Sequence, residues 1–278
     1  MARDGSRDGC WSSGRRNRCL RRGAGQQRVA MAGDILKQEG LSAVVVGNGS
    51  IGLALAANLL QRENLNSLVI LNRNGDVPFS DPRVANVKFD AEAPESIAAA
   101  AKVVRSSVDR VHLMINTVGM LHNQQQQPEK RLSRVSPENL QRSFAVNTML
   151  LPVLVQEFSS LLRHLDSALF VSLSARVGSI EDNRLGGWYS YRASKAAHNM
   201  LLRTIAQEWR LSHRNAAIVA MHPGTVASRL SEPFISSGYQ HTVHTPSECA
   251  DHLAAVFSTL TSESSGSFLD WRGQPVPW

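Results

Sequence analysis

The run Gly47-Asn-Gly49-Ser50-Ile51-Gly52 follows directly on the apolar stretch Ala43–Val46 and opens the amphipathic stretch Gly52–Leu60. No other feature restricts the fold as much. A buried strand that turns on glycine into a helix is half of a βαβ unit. The first glycine permits the tight turn, the second lets backbone approach a pyrophosphate, and the third lets helix and strand pack closely. Free N–H groups at such a helix start favour anions.

The theme recurs. Strand-like stretches stand at Leu68–Leu71, Asn86–Phe89, Val111–Asn116, Ala168–Leu173 and Ala217–Met221. Helical patterns lie between or after them, at Ser96–Ser106, Pro137–Leu162, Tyr189–Leu211 and Pro246–Leu260. Short buried strands alternating with helices imply a parallel sheet covered on both faces. The expected architecture is α/β: a single doubly wound Rossmann domain of three layers, αβα, over residues 34–278. Gln124–Gln127 reads as an exposed loop. With 42% of 278 residues hydrophobic, the chain has material for a core, which excludes disorder throughout. No apolar run approaches the length needed to cross a bilayer, so a membrane is not expected among the partners.

The formal charge of +7 suggests nucleic acid until it is located. Residues 1–33 carry eight arginines against Asp4 and Asp8, and the remainder is close to neutral. A neutral body offers no basic footprint for phosphate backbones, so nucleic acid is not the expected partner. The arginine-, glycine- and serine-rich segment lacks apolar periodicity and is expected to be a disordered tail. It is either a leader ahead of Met31 or an organelle-targeting peptide (mitochondrion or chloroplast), the first going with a cytoplasmic protein. Of three cysteines only Cys249 lies in the body, which gives no disulfide framework and no zinc spacing. His222, His241 and His244 lack a completing carboxylate or cysteine, so no metal site is expected.

Two strand ends bear on the ligand. Where a site that reads a ribose 2′-hydroxyl offers Asp or Glu, this chain has Asn72-Arg73. An arginine pairs with a 2′-phosphate, which favours NADP(H) over NAD(H). Asp90 ends the third strand, where it either accepts from an adenine amino group or caps the next helix. Tyr191 and Lys195 stand four residues apart on one helical face. A neighbouring ammonium lowers a phenol's pKa toward the range useful for acid–base work.

These elements together resemble the short-chain dehydrogenase/reductase family. They are the glycine turn, Asn116-Thr-Val-Gly119, Asn147, the serines Ser172 and Ser174 at the fifth strand's end, Tyr191 with Lys195, and Pro223-Gly224-Thr225-Val226. They keep the family's order across residues 41 to about 271. SARVGSIEDNRLGGWYSYRASKAA and FLDWRGQPVPW are most similar to its C-factor-like group, related to the sniffer-type carbonyl reductases.

The resemblance implies hydride transfer between NADP(H) and a small carbonyl or secondary alcohol substrate. Tyr191 would exchange the proton. Lys195 would acidify it and bind the nicotinamide ribose, and Asn147 would anchor a water on the way to Lys195. Ser174 would donate to the substrate carbonyl, with Ser172 or Ser179 the alternatives. Gly47, Gly49, Ser50, Ile51, Gly52, Asn72, Arg73, Asp90, Asn116, Gly119, Tyr191, Lys195, Pro223, Gly224 and Val226 would hold the cofactor. Residues Arg229–His244 would form a substrate lid. A homodimer or homotetramer packed through the Pro137–Leu162 and Tyr189–Leu211 helices is also implied. The rival reading keeps the fold as a nucleotide-binding sensor with little turnover.

Overall fold

The computed structural model describes residues 33–235, 240 and 242–278. The arginine-rich segment lies outside the described residues except for Gly33, as does His241, and so do the expectations attached to them. In chain order the strands are β1 (Leu41–Val46), β2 (Leu65–Asn72), β3 (Val84–Lys88), β4 (Leu113–Asn116), β5 (Ala168–Leu173) and β6 (Ala216–His222), then β7 (Thr225–Val226), β8 (Val243–His244) and β9 (Phe268–Asp270). The helices are α1 (Ser50–Leu60), α2 (Pro94–Ser107), α3 (Pro137–Phe144), α4 (Leu150–Leu162), α5 (Tyr189–Ser212) and α6 (Pro246–Phe257).

Seven strands form one sheet in the order β3-β2-β1-β4-β5-β6-β9, every neighbouring pair parallel. β1 explains why the sheet is covered on both faces. All six of its residues are buried, and they alternate between two cores. Val44 and Val46 join the cluster with α2, α4 and α5, whereas Ala43 and Val45 join the cluster with α1 and α6. The strand order reverses between β1 and β4, whose last residues Val46 and Asn116 are in register. Their carboxyl ends open the crevice where open α/β sheets collect ligands.

The six expected strands are found, and β9 is an addition at the sheet's edge. Helix starts follow their local signals. Pro94, Pro137 and Pro246 sit in first turns, Ser136 caps α3, and Thr245 with Glu248 makes a reciprocal cap on α6.

Two expectations need correction at Pro137–Leu162. The segment is not one regular helix, because a π-helical turn at Ala145–Met149 separates α3 from α4. It is also long and apolar enough, by length and composition, to cross a membrane, contrary to the reading of the apolar runs. Its apolar side chains have another use here: Leu150, Leu151, Leu154, Val155, Phe158, Leu161 and Leu162 are buried in the α2–α4–α5 core.

Candidate active site

The glycine turn is built by contacts that a side chain would break. Gly47 has φ +99°, and a Cβ there would stand 2.7 Å from Thr117 Oγ1. A Cβ on Gly52 would collide with the Gly47 carbonyl oxygen. Thr117 Oγ1 donates to the Val46 carbonyl at 2.8 Å, tying this turn to the segment after β4. At Gly49, by contrast, a Cβ would meet nothing within 4 Å, and this residue gives α1 no side-chain cap. The first-turn N–H groups of Ser50, Ile51 and Gly52 thus begin a helix beside open space at the switch point. That arrangement fits a dinucleotide pyrophosphate.

At the end of β2, Asn72 is buried. Its Oδ1 accepts from the Gly75 N–H at 2.8 Å and the Asn74 N–H at 3.1 Å, and its Nδ2 donates to Asn86. Its side chain therefore shapes the turn rather than pointing toward a ligand. Arg73 is exposed and makes no ion pair with a described residue. Asp90 is not the cap of α2, a position held by Ala93. One carboxylate oxygen accepts from the Glu92 N–H at 3.0 Å.

Across the crevice, Asn116 donates to Ser172 Oγ at 3.0 Å and accepts from the Val118 N–H. Asn147, placed by the π turn, grips the Met120 main chain, accepting its N–H at 2.7 Å and donating to its carbonyl at 2.8 Å. Its Nδ2 also reaches Ser194 Oγ at 3.1 Å, and its own carbonyl pairs with His198 Nδ1 at 2.9 Å. The Asn147 side chain is thus engaged with the Met120 main chain, and the residue's own carbonyl, which accepts from His198, keeps a second lone pair.

Tyr191 and Lys195 lie in the first two turns of α5, and both are buried, at 8% and 3% exposure. Lys195 Nζ donates to the Leu173 carbonyl at 2.9 Å and stands 6.0 Å from the Tyr191 ring centre. A Cβ on Gly119 would lie 3.5 Å from that Nζ and 3.6 Å from Asn147 Oδ1, which places Gly119 against both side chains. The Tyr191 hydroxyl makes no hydrogen bond to a described residue. Burial raises the phenol above its usual range and lowers Lys195 to about 8. In the protein alone, therefore, the expected acidification of Tyr191 is outweighed by desolvation.

Each of the three candidate serines has a hydrogen-bond partner. Side chains two apart on a strand share a face, and those of Ser172 and Ser174 turn toward asparagines. Ser174 Oγ donates to Asn199 Oδ1 at 2.6 Å. Ser172 accepts from Asn116, while Ser179 donates to the Trp278 carbonyl and accepts from the Asp182 N–H.

After β6, Gly224 has φ +81° and packs where a Cβ would be 3.0 Å from His244 and from Trp271. Pro223 offers its carbonyl to Cys249 Sγ at 3.5 Å, and Val226 is buried in the β7–β8 pair. Of the expected lid, residues 236–239 and 241 lie outside the described residues. Phe234 within it packs on Trp188, with ring centres 4.9 Å apart.

Trp188 was not legible as a site residue. It is the described non-glycine residue with positive φ, at +52°, and its indole stands edge-on to the Tyr191 ring at 6.2 Å. The one available hint was Gly186-Gly187 before it, both also at positive φ.

Comparison with known proteins agrees with this geometry. The profile of the short chain dehydrogenase family matches residues 42–237. A 1-hydroxy-2-glutathionyl-2-methyl-3-butene dehydrogenase of Rhodococcus sp. (strain AD45) is 38% identical over 106 residues, 38% of this chain and 45% of that protein. The C-signal protein of Myxococcus xanthus is 35% identical over 106 residues, 38% of this chain and 58% of that one. The match thus spans about half the length of these relatives. An NADPH-bound carbonyl reductase from chicken fatty liver superposes with a TM-score of 0.75 at 26% identity, over 87% of this chain and all of the other.

Proposed function

This chain belongs to the short chain dehydrogenase family, and on that premise we propose that it is an NADP(H)-dependent oxidoreductase acting on a small carbonyl compound or secondary alcohol. The observation that carries the reading is the buried Tyr191, its hydroxyl unpaired among described residues and its ring centre 6.0 Å from the buried Lys195 Nζ, on a helix that follows β5 of the parallel sheet.

The nicotinamide supplies and accepts hydride when bound. The chain's own residues do the rest. The first turn of α1 and Gly49 would receive the pyrophosphate, and Asp90, with one carboxylate oxygen taken by Glu92, would meet the adenine. Arg73 would pair with a 2′-phosphate. Asn116, Gly119, Pro223, Gly224 and Val226 would line the nicotinamide end, with Lys195 directing its remaining N–H groups to the ribose. Tyr191, kept protonated by burial, is suited to give its proton to a carbonyl oxygen. The indole of Trp188 and the ring of Phe234 would form the adjoining wall for the substrate.

A homo-oligomer through α4 and α5 accords with Met149 beside α4 and Met200 on α5, 61% and 65% exposed. Light scattering that returned the mass of one chain at micromolar concentration would remove that part.

The test is NADPH oxidation with a panel of aldehydes, ketones and quinones, comparing wild type with Tyr191→Phe. Turnover lost in the variant, with NADPH binding retained, is the expected result. Binding without any turnover in either protein would favour the sensor reading.

A further inference from the structure

We infer that Glu129 is a positioning residue of this site, holding the left-handed turn at Trp188 and the first turn of α5 so that Tyr191 keeps its place. The inference rests on the oxidoreductase reading for what Tyr191 does, while the geometry stands independently of it.

Glu129 is 3% exposed, and among the described residues no cation forms an ion pair with it. An unpaired buried carboxylate is costly unless hydrogen bonds satisfy it. Here both oxygens go to one residue: Oε2 accepts from the Ser190 N–H at 3.1 Å, and Oε1 accepts from the Ser190 hydroxyl. The Glu129 carbonyl accepts from the Trp188 N–H at 2.5 Å.

Helix α5 begins at Tyr189, and its N-cap, Trp188, provides no side-chain cap. Glu129 supplies that cap from a loop 61 residues away, with its negative charge at the positive end of the helix dipole. A bulky residue at φ +52° is strained, and such a conformation persists only where its surroundings impose it. Glu129 grips the residues on both sides of Tyr189. Trp188 touches the Tyr191 ring, and Ser190 is its chain neighbour. The loop that carries Glu129 also carries Met120, clamped by Asn147, so one connection joins the crevice wall to the start of the catalytic helix.

The experiment compares Glu129→Ala, Glu129→Gln, Ser190→Ala, Trp188→Phe and Tyr191→Phe. It uses near-ultraviolet circular dichroism, thermal unfolding, and steady-state kinetics with NADPH and either 4-nitrobenzaldehyde or cyclohexanone, whichever the wild type reduces faster. Glu129→Ala should lose the aromatic band that Trp188→Phe loses. Its kcat should fall by about tenfold or more while KM for NADPH moves by less than about threefold, since small displacements of a reacting group are expensive. Glu129→Gln should restore most of both, because its carbonyl can accept from the Ser190 N–H while its amide donates to Ser190 Oγ. If Glu129→Ala does not fold, Ser190→Ala should show smaller losses in the same two readouts. A variant that only melts earlier, with the aromatic band and kcat intact, would overturn the positioning role. So would full turnover in Glu129→Ala where Tyr191→Phe has none. Undiminished turnover in Tyr191→Phe would instead remove Tyr191 as the proton donor, and this role with it, whereas absence of turnover in the wild type would overturn the oxidoreductase reading.

Discussion

Lys195 Nζ stands 6.0 Å from the centre of the Tyr191 ring, and burial drives the two groups in opposite directions. The phenol is raised and the ammonium is lowered to about 8. Both shifts disfavour charge in a dry site. On the proposed reading, a protonated phenol is the form that gives a proton to a carbonyl oxygen in reduction. The ammonium is the group at risk. Above a pH of about 8 Lys195 loses its charge, and kcat/KM for carbonyl reduction is expected to fall as pH rises through that value. Lys195→Met should be slow at every pH and lack that limb. A wild-type profile still flat two units above would refute the assignment of this limb to Lys195.

Ser174 gives a second, smaller prediction. Its hydroxyl proton is held by Asn199 at 2.6 Å, so replacing it removes a link between β5 and α5 more than a donor to substrate. Ser174→Ala should therefore reduce kcat by roughly tenfold or less, the scale of one ordinary hydrogen bond, and far less than Tyr191→Phe. A loss in Ser174→Ala equal to that in Tyr191→Phe would show that the hydroxyl leaves Asn199 to act on the substrate.

What could be read in the sequence depended on how local its cause was. The Gly47–Gly52 turn and the buried β1 behind it are written in consecutive residues, and β5 appears with the limits expected. The π turn that places Asn147 adds one residue to a helix, a change invisible to a 3.6-residue period. The strand β9 has three residues, too few to show alternation, and exists because β6 offers a free edge. Glu129 and Ser190 are far apart in the chain, so neither residue advertises the other. Ser174 was placed correctly at the end of β5, but its partner on α5 could be known only once strand and helix were packed.

On the proposed reading, preference for NADP(H) comes from Arg73. Asn72 holds the turn after β2 through the N–H groups of Asn74 and Gly75, which leaves the next side chain exposed at the strand's end without an ion pair among described residues. Hydrogen bonds to charged groups contribute about 1.5–3 kcal/mol. Arg73→Asp should thus lower the ratio of kcat/KM for NADPH over NADH by roughly one to two orders of magnitude. An unchanged ratio would exclude Arg73 from reading the 2′-phosphate. Asn72→Ala should instead lower stability, because its amide serves the turn.

His198 couples the site to acid. It is buried on α5 with Nδ1 on the Asn147 carbonyl and Nε2 without a partner among described residues, and burial holds its pKa at about 3. The nearby Lys195 charge acts in the same direction. In the unfolded chain the same ring titrates near its ordinary value, so between roughly pH 6.5 and 3 the unfolded state binds the extra proton. Stability is unaffected above that window and falls with pH inside it, by at most about 1.4 kcal/mol per unit from this group. His222, lowered to about 4 by burial, adds to the same loss. His198→Asn keeps a donor near the Nδ1 position and removes the titration. Urea unfolding at pH 7.5 and pH 5 should therefore show a smaller acid loss in the variant than in wild type, with His222 responsible for part of what remains. Equal losses in the two proteins would mean that His198 is not the buried neutral group that links this site to pH.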